Sequence, residues 1–272
     1  GATRTVSFTV IDGAYNSNSA TRDIAITIPA PEICVKGNSV DISTGDAAPS
    51  VTDWTDFSNA DIDSGSVARI FTICNTGNAV LNLTGDSPYV TITGHTADFT
   101  VSGIPSNSIA TAGTTTFEVT FNPSSTGIRT AVISIGSNDA DENPYTFTVQ
   151  GTGTGILTVT GITANDKVYD GTTTADLDTS GASLVGLVSG DDVTLVTGSA
   201  AGTFDTKDIG TGKPVTVSGL TLTGADKDNY TLTQPSTTAD ITPKVLTVTA
   251  AGTNKVYDGT TTATVTLSND RV

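Results

Sequence analysis

The chain reads as all-β, a series of tandem β-sandwiches strung end to end, and three observations lead there. Short apolar-alternating runs such as RTVSFTV, RIFTIC and TTFEVTF recur about every ten residues, separated by Gly, Asn, Asp and Ser. No segment places apolar residues at i, i+3, i+4 and i+7, so no long helix is expected. The nonapeptide KVYDGTTTA occurs at 167–175 and again at 255–263, 88 positions later. A repeat of that length is one small module used more than once.

Composition limits the function classes. The 272 residues suffice for two or three domains with cores of their own. There are 28 acidic and 12 basic residues, a formal net charge of −16. Of the acids, 13 fall in residues 31–153 against 3 bases, and 11 in 154–243 against 4. Nucleic acid is set aside, because a phosphate backbone needs Lys and Arg to replace its counterions. No apolar run is long enough to insert in a membrane, and no signal peptide is visible. The sequence opens with Gly1 and stops in mid-pattern, so the native chain is expected to continue on both sides.

Four segments follow. In residues 1–30, RTVSFTVID alternates Val6, Phe8 and Val10, and RDIAITI alternates Ile24, Ile26 and Ile28, with GAYNSNSAT as the loop between them. Pro29-Ala30-Pro31 reads as a stiff linker. Residues 31–153 hold EICVKG, RIFTIC, AVLNLTG, YVTITG, DFTVSG, TTFEVTFNP, RTAVISIGSND and PYTFTVQGTG, enough strands for one sandwich. GTGTG at 151–155 reads as a flexible joint. Residues 154–243 run from LTVTGI through DNYTLTQ to ADITPK, and 244–272 repeat only the opening of that pattern. Strands of seven to ten residues would give each domain a reach of about 25–35 Å.

These motifs resemble known bacterial families. The first hairpin resembles the end of a cadherin-like or Ig-like repeat. PEICVKGNSVDI, FTICNTGNAVLNLTG, FEVTFNPSSTG and ISIGSNDADENPYTFTVQGTG together resemble the choice-of-anchor D domain, an Ig-like sandwich related to the ASH/HYDIN group. Residues 154–243 and 244–272 resemble the YDG domain through Tyr169-Asp170-Gly171 and Tyr257-Asp258-Gly259, the second copy incomplete. Read physically, Asp-Gly makes a tight turn and the Tyr buries its ring, so YDG is a fold-determining turn.

The resemblance implies a stalk or filament segment of a large exported bacterial cell-surface adhesin, without catalysis, as in gliding Bacteroidota that use type IX secretion. Partners would be neighbouring domains of the same chain, host or surface glycans and proteins, or identical subunits in a fibre. The alternatives are a glycan- or ligand-binding module and an accessory region of an extracellular hydrolase. A glycan platform would want clustered aromatics, and Trp54 stands by itself.

Candidate chemistry is sparse. His95, in TGHTADF, reads as an exposed loop residue with no nucleophile elbow around it. Cys34 and Cys74 are too few for structural zinc. Both fall on the side of their strands opposite the apolar residues, so a cross-strand disulfide is preferred over two free thiols, and would contribute roughly 3–4 kcal/mol. In SNDADENP, Asp139, Asp141, Glu142 and Asn143 are candidate calcium ligands, although Asp and Asn are equally what tight turns use. No other cofactor is expected. An isopeptide bond from Lys167 or Lys255 is set aside, because Lys167 begins a strand beside Asp166 in an exposed setting.

Overall fold

The computed structural model describes residues 3–9, 21–27 and 29–272, the first two segments by backbone alone. The chain divides into two compact units, Gly1–Gly155 and Ile156–Val272. Among the described residues there is no α-helix, only a 3-10 turn at Lys227–Asn229; everything else regular is strand. The all-β prediction holds.

The first unit opens on Thr3–Thr9 paired antiparallel with Thr21–Thr27, Val6 opposite Ile24. Of the loop read between them, all but Thr21 lies outside the described residues, as do Val10 and Ile28. The sandwich follows. One sheet orders Val40–Ile42, Ile33–Gly37, Val67–Asn75, Thr114–Phe121 and Phe99–Ser102. The other sets Val90–Gly94 against Gly127–Ile135, then Tyr145–Thr160, with Asp56–Asp61 added in parallel.

Period-2 patterning assembles this core. In Thr114–Phe121 the residues Phe117, Val119 and Phe121 turn inward and the intervening residues face out. Phe71, Ile73, Ile133, Phe147 and Val149 join them from neighbouring strands. Phe99 stacks on Phe121 with centroids 4.8 Å apart, and Phe57 meets Phe99 edge-on at 5.7 Å. Each such ring contributes about 1.5–3 kcal/mol of burial, before the entropy of ordering it is subtracted. The first hairpin of the sheet turns through Asn38 and Ser39, at φ 50° and 64°, the left-handed pair that a two-residue connection needs.

Two expectations are corrected here. Residues 151–155, read as a flexible joint, are strand rather than loop: they lie inside Tyr145–Thr160, where Gly151 pairs with Arg129 and Gly153 with Gly127, and the boundary between the two units falls after Gly155. Pro29–Pro31 does not stand clear either. The amide of Ala30 donates to Asn78 Oδ1 at 2.9 Å and its carbonyl accepts from the Asn78 amide at 3.0 Å.

In the second unit, one sheet orders Lys167–Val168, Ser236–Thr242, Gly210–Ser218, Ala201–Phe204 and Thr174–Ala175. Thr158–Thr160 pairs with Ser183–Val185. Phe204, Val215, Ala239 and Ile241 form one core cluster, and Val159, Ile162, Val217 and Leu220 another. Gly210–Ser218 and Ser236–Thr242 have nine and seven residues, but many strands here are shorter than the expected seven to ten. Thr163–Ala164, Lys167–Val168, Thr174–Ala175 and Leu177–Asp178 have two residues each, because Asn, Asp and Gly turns interrupt them. Beyond Pro243, Val248–Thr253 and Thr264–Asn269 form a hairpin whose residues are all exposed.

Candidate functional site

The repeated nonapeptide folds the same way twice. Lys167 Nζ lies 2.8 Å from Asp170 Oδ1, and Lys255 Nζ lies 2.8 Å from Asp258 Oδ1. In the first copy Asp170 Oδ1 also accepts from the amide and hydroxyl of Thr172, each at 2.8 Å. Asp258 accepts from the amide of Thr260 at 2.9 Å and its hydroxyl at 2.8 Å. Gly171 and Gly259 take φ of 80° and 76°, which a side chain would oppose. The carboxylate therefore gathers an ammonium, an amide and a hydroxyl. The hydrogen bond from Lys167, then those from Thr172, hold Asp170 down at about 2, and the matching set lowers Asp258.

The strands flanking the two turns pair in the same register. Thr163 faces Asp178 and Ala164 faces Leu177; Ala251 faces Thr266 and Gly252 faces Val265, each number moved by the same 88 residues. Isopeptide chemistry finds no support in this turn. It needs a protonated acid in a dry site, whereas the Asp170 side chain is half exposed and its pKa is depressed.

Cys34 and Cys74 lie opposite one another on the antiparallel strands Ile33–Gly37 and Val67–Asn75, their Cα atoms 5.0 Å apart and their sulfurs bonded. That separation lies inside the range a disulfide spans. Strand alternation accounts for the placement: Ile33, Val35, Phe71 and Ile73 take the core side and leave the cysteines the other.

The acidic loop is split in its roles. Asp139 is buried, and its Oδ2 accepts the Ile33 amide at 2.8 Å. Asn143 Oδ1 accepts the Ser137 amide at 3.0 Å, so this side chain serves the turn. Asp139 and Asp141 converge with Glu32, their ligand-type oxygens within 4.8 Å of one another. Three carboxylates so placed offer the oxygen donors calcium takes, though fewer than its usual six to eight. Burial, then the charges of Glu32, Asp139 and Asp141, raises Glu142 above its ordinary value. Glu32 lay outside the sequence reading, since only the pairing of Ile33 with Asp139 brings its segment to this loop.

His95 is placed differently from expectation, and Trp54 has no aromatic ring contact among the described residues. His95 is partly buried: its amide donates to the Thr130 carbonyl at 3.0 Å, and its Nδ1 lies 2.9 Å from the Thr130 amide nitrogen. It fastens a turn beside buried Asp98, which accepts from the Ser124 amide at 2.7 Å and from Arg129 Nε at 2.6 Å. Trp54, at φ 65°, carries the Arg69 guanidinium 5.2 Å from its ring centroid.

No curated protein matches the chain. Among solved structures it is similar to a Porphyromonas gingivalis protein of unknown function, at 14% identity and TM-score 0.32, covering 56% of this chain and 64% of that one. It is similar to an ASH/PapD-like domain of human CEP192, at 12% identity and TM-score 0.32, covering 52% and 97%. A third is the VesB protease of Vibrio cholerae, at 21% identity and TM-score 0.26, covering 36% and 30%. Residues 154–239, the span that contains the first Lys–Asp–Thr turn, match the YDG domain family.

Proposed function

We propose that this protein is an architectural segment of a large exported bacterial surface protein, in which Ig-like modules act as spacers and perform no catalysis. The observation that carries this reading is the repetition. One nonapeptide builds the same braced turn and the same strand register in two places, which is how an array is made from one unit. Paired Cys34 and Cys74 suit an oxidising compartment, and a net charge of −16 suits a solvated surface. In this reading residues 31–153 form a choice-of-anchor D domain, the setting is an adhesin of the type IX class, and neighbouring modules are the first partners. The glycan-platform alternative gains less, because one face of Trp54 is engaged by Arg69.

Antibodies raised against residues 31–153 test the placement. They should label intact source cells as strongly as permeabilised ones. Labelling that requires permeabilisation would reject an exported surface role.

A further inference from the structure

Two segments of the second unit, one near its start and one near residue 242, run side by side in the same direction. Lys167 and Val168 pair in parallel with Ile241 and Thr242 of the strand Ser236–Thr242. The Tyr169 amide donates to the Thr242 carbonyl at 2.9 Å, and Thr242 Oγ1 donates to the Lys167 carbonyl at 3.2 Å. Just upstream, Asp166 Oδ1 accepts the Asp240 amide at 2.7 Å. At the start of the unit, the Leu157 carbonyl accepts the Thr233 amide at 2.8 Å. The partners of Leu157, Asp166 and Val168 thus stand 76, 74 and 74 positions later in the chain, and a near-constant offset is the register of parallel strands.

Chain order decides how such a pair meets tension. The chain enters the pair upstream of Leu157 and leaves it downstream of Thr242, which are opposite ends of parallel segments. A pull through the chain therefore slides one segment along the other and loads the bonds between them together, whereas strands pulled from adjacent ends open one bond at a time. The nonapeptide keeps its own strand from being drawn out alone. Its two short strands, Lys167–Val168 and Thr174–Ala175, are the opposite edges of the five-stranded sheet. Lys167 Nζ reaches across to the carbonyls of Thr172 and Thr174, each at 2.9 Å, and the Thr173 carbonyl accepts the Phe204 amide at 2.8 Å. Tyr169 packs against the cluster of Phe204, Val215 and Ile241. Sliding this strand disturbs both edges of the sheet and the core between them.

We propose that residues 157–169 and 233–242 form a clamp that carries tension through this module, with the Lys167 turn as its anchor. The use of the clamp rests on the spacer reading, since a stalk transmits pull along its chain, but its strength does not depend on where the protein resides. The nonapeptide then has a task beyond turning the chain: it fixes the strand that the pull loads.

Constant-force pulling on the full chain tests this, because forced unfolding reads the unfolding rate. The second unit's step is recognised by its indifference to reduction, since the disulfide lies in the first. Two variants form a matched pair. Asp166→Ala deletes a carboxylate that accepts one backbone amide across the clamp; Asp226→Ala deletes one that accepts the Asp192 amide at 2.8 Å, outside the paired segments. Asp166→Ala should shorten the second unit's lifetime under force by roughly tenfold, and Asp226→Ala should leave it unchanged. Thr242→Val, which removes only the hydroxyl bond, should shorten it to a smaller degree, and it serves as the test if the Asp166 variant does not fold. The proposal is overturned if the clamp variants leave the lifetime unchanged, or if Asp226→Ala shortens it as much as they do. Either result would leave the antibody test of surface placement standing, so failure of the clamp and failure of the spacer reading are told apart.

Discussion

The ring of Phe121 lies directly over Gly151: a Cβ built there would stand 2.4 Å from Phe121 Cε1 and 2.6 Å from Cδ1. One step along the same face, a Cβ on Gly153 would meet the Ser125 carbonyl oxygen at 2.1 Å. These glycines let one sheet approach a large ring and a backbone turn of the other. Gly151→Ala should therefore destabilise the first unit by about 1–3 kcal/mol, the usual cost of overpacking. Urea unfolding of the two proteins measures it. An unchanged midpoint would mean that the ring moves aside freely.

The Cys34–Cys74 pair closes a span of 40 residues. In the chain-entropy account, opening it costs about 3–4 kcal/mol. Reduction, or Cys34→Ser with Cys74→Ser, should lower the melting temperature of the first unit by on the order of 10 °C and leave the second unit's unchanged. Calorimetry of the full chain resolves the two.

Asp170 gives the second unit a pH dependence of definite sign. Its folded pKa of about 2 lies below the ordinary 3.8, so its stabilising contribution is complete above 3.8 and is lost as pH falls through 2. Asp170→Asn should melt at a lower temperature than the unaltered chain at pH 7, and the gap should close toward pH 2. A gap that persists at pH 2 would point to a steric cause instead.

Glu142 has the opposite sign. Its pKa is raised, so the folded first unit favours the protonated form, and this group's penalty is full above the folded value and is relieved as pH falls through that value toward the ordinary 4.5. Glu142→Gln should raise the melting temperature at pH 7 by a small amount that disappears in acid. Thermal scans at pH 7 and 4 decide it.

Local signals were the legible ones. The alternation in Thr114–Phe121, the Asp-Gly turns and the outward side of Cys34 and Cys74 are properties of neighbouring residues, and each could be read from the chain. GTGTG was misread because glycine marks both a flexible joint and a close approach, and what separates them is Phe121, thirty positions away. Glu32 beside Asp139 was missed for the same reason, since their meeting depends on one long-range hydrogen bond to Ile33. His95 does sit in a turn between strands but looked exposed there, because its partner, Thr130, lies 35 residues away on the strand Gly127–Ile135.

Single-molecule pulling on the full chain, oxidised and then reduced, tests the architectural role most directly. Modules built to span distance should unfold in discrete, separate steps. The first unit's step should lengthen by about 140 Å on reduction, as the 40 residues between Cys34 and Cys74 are released at roughly 3.3–3.6 Å each. A featureless extension with no unfolding steps, in either redox state, would contradict the account.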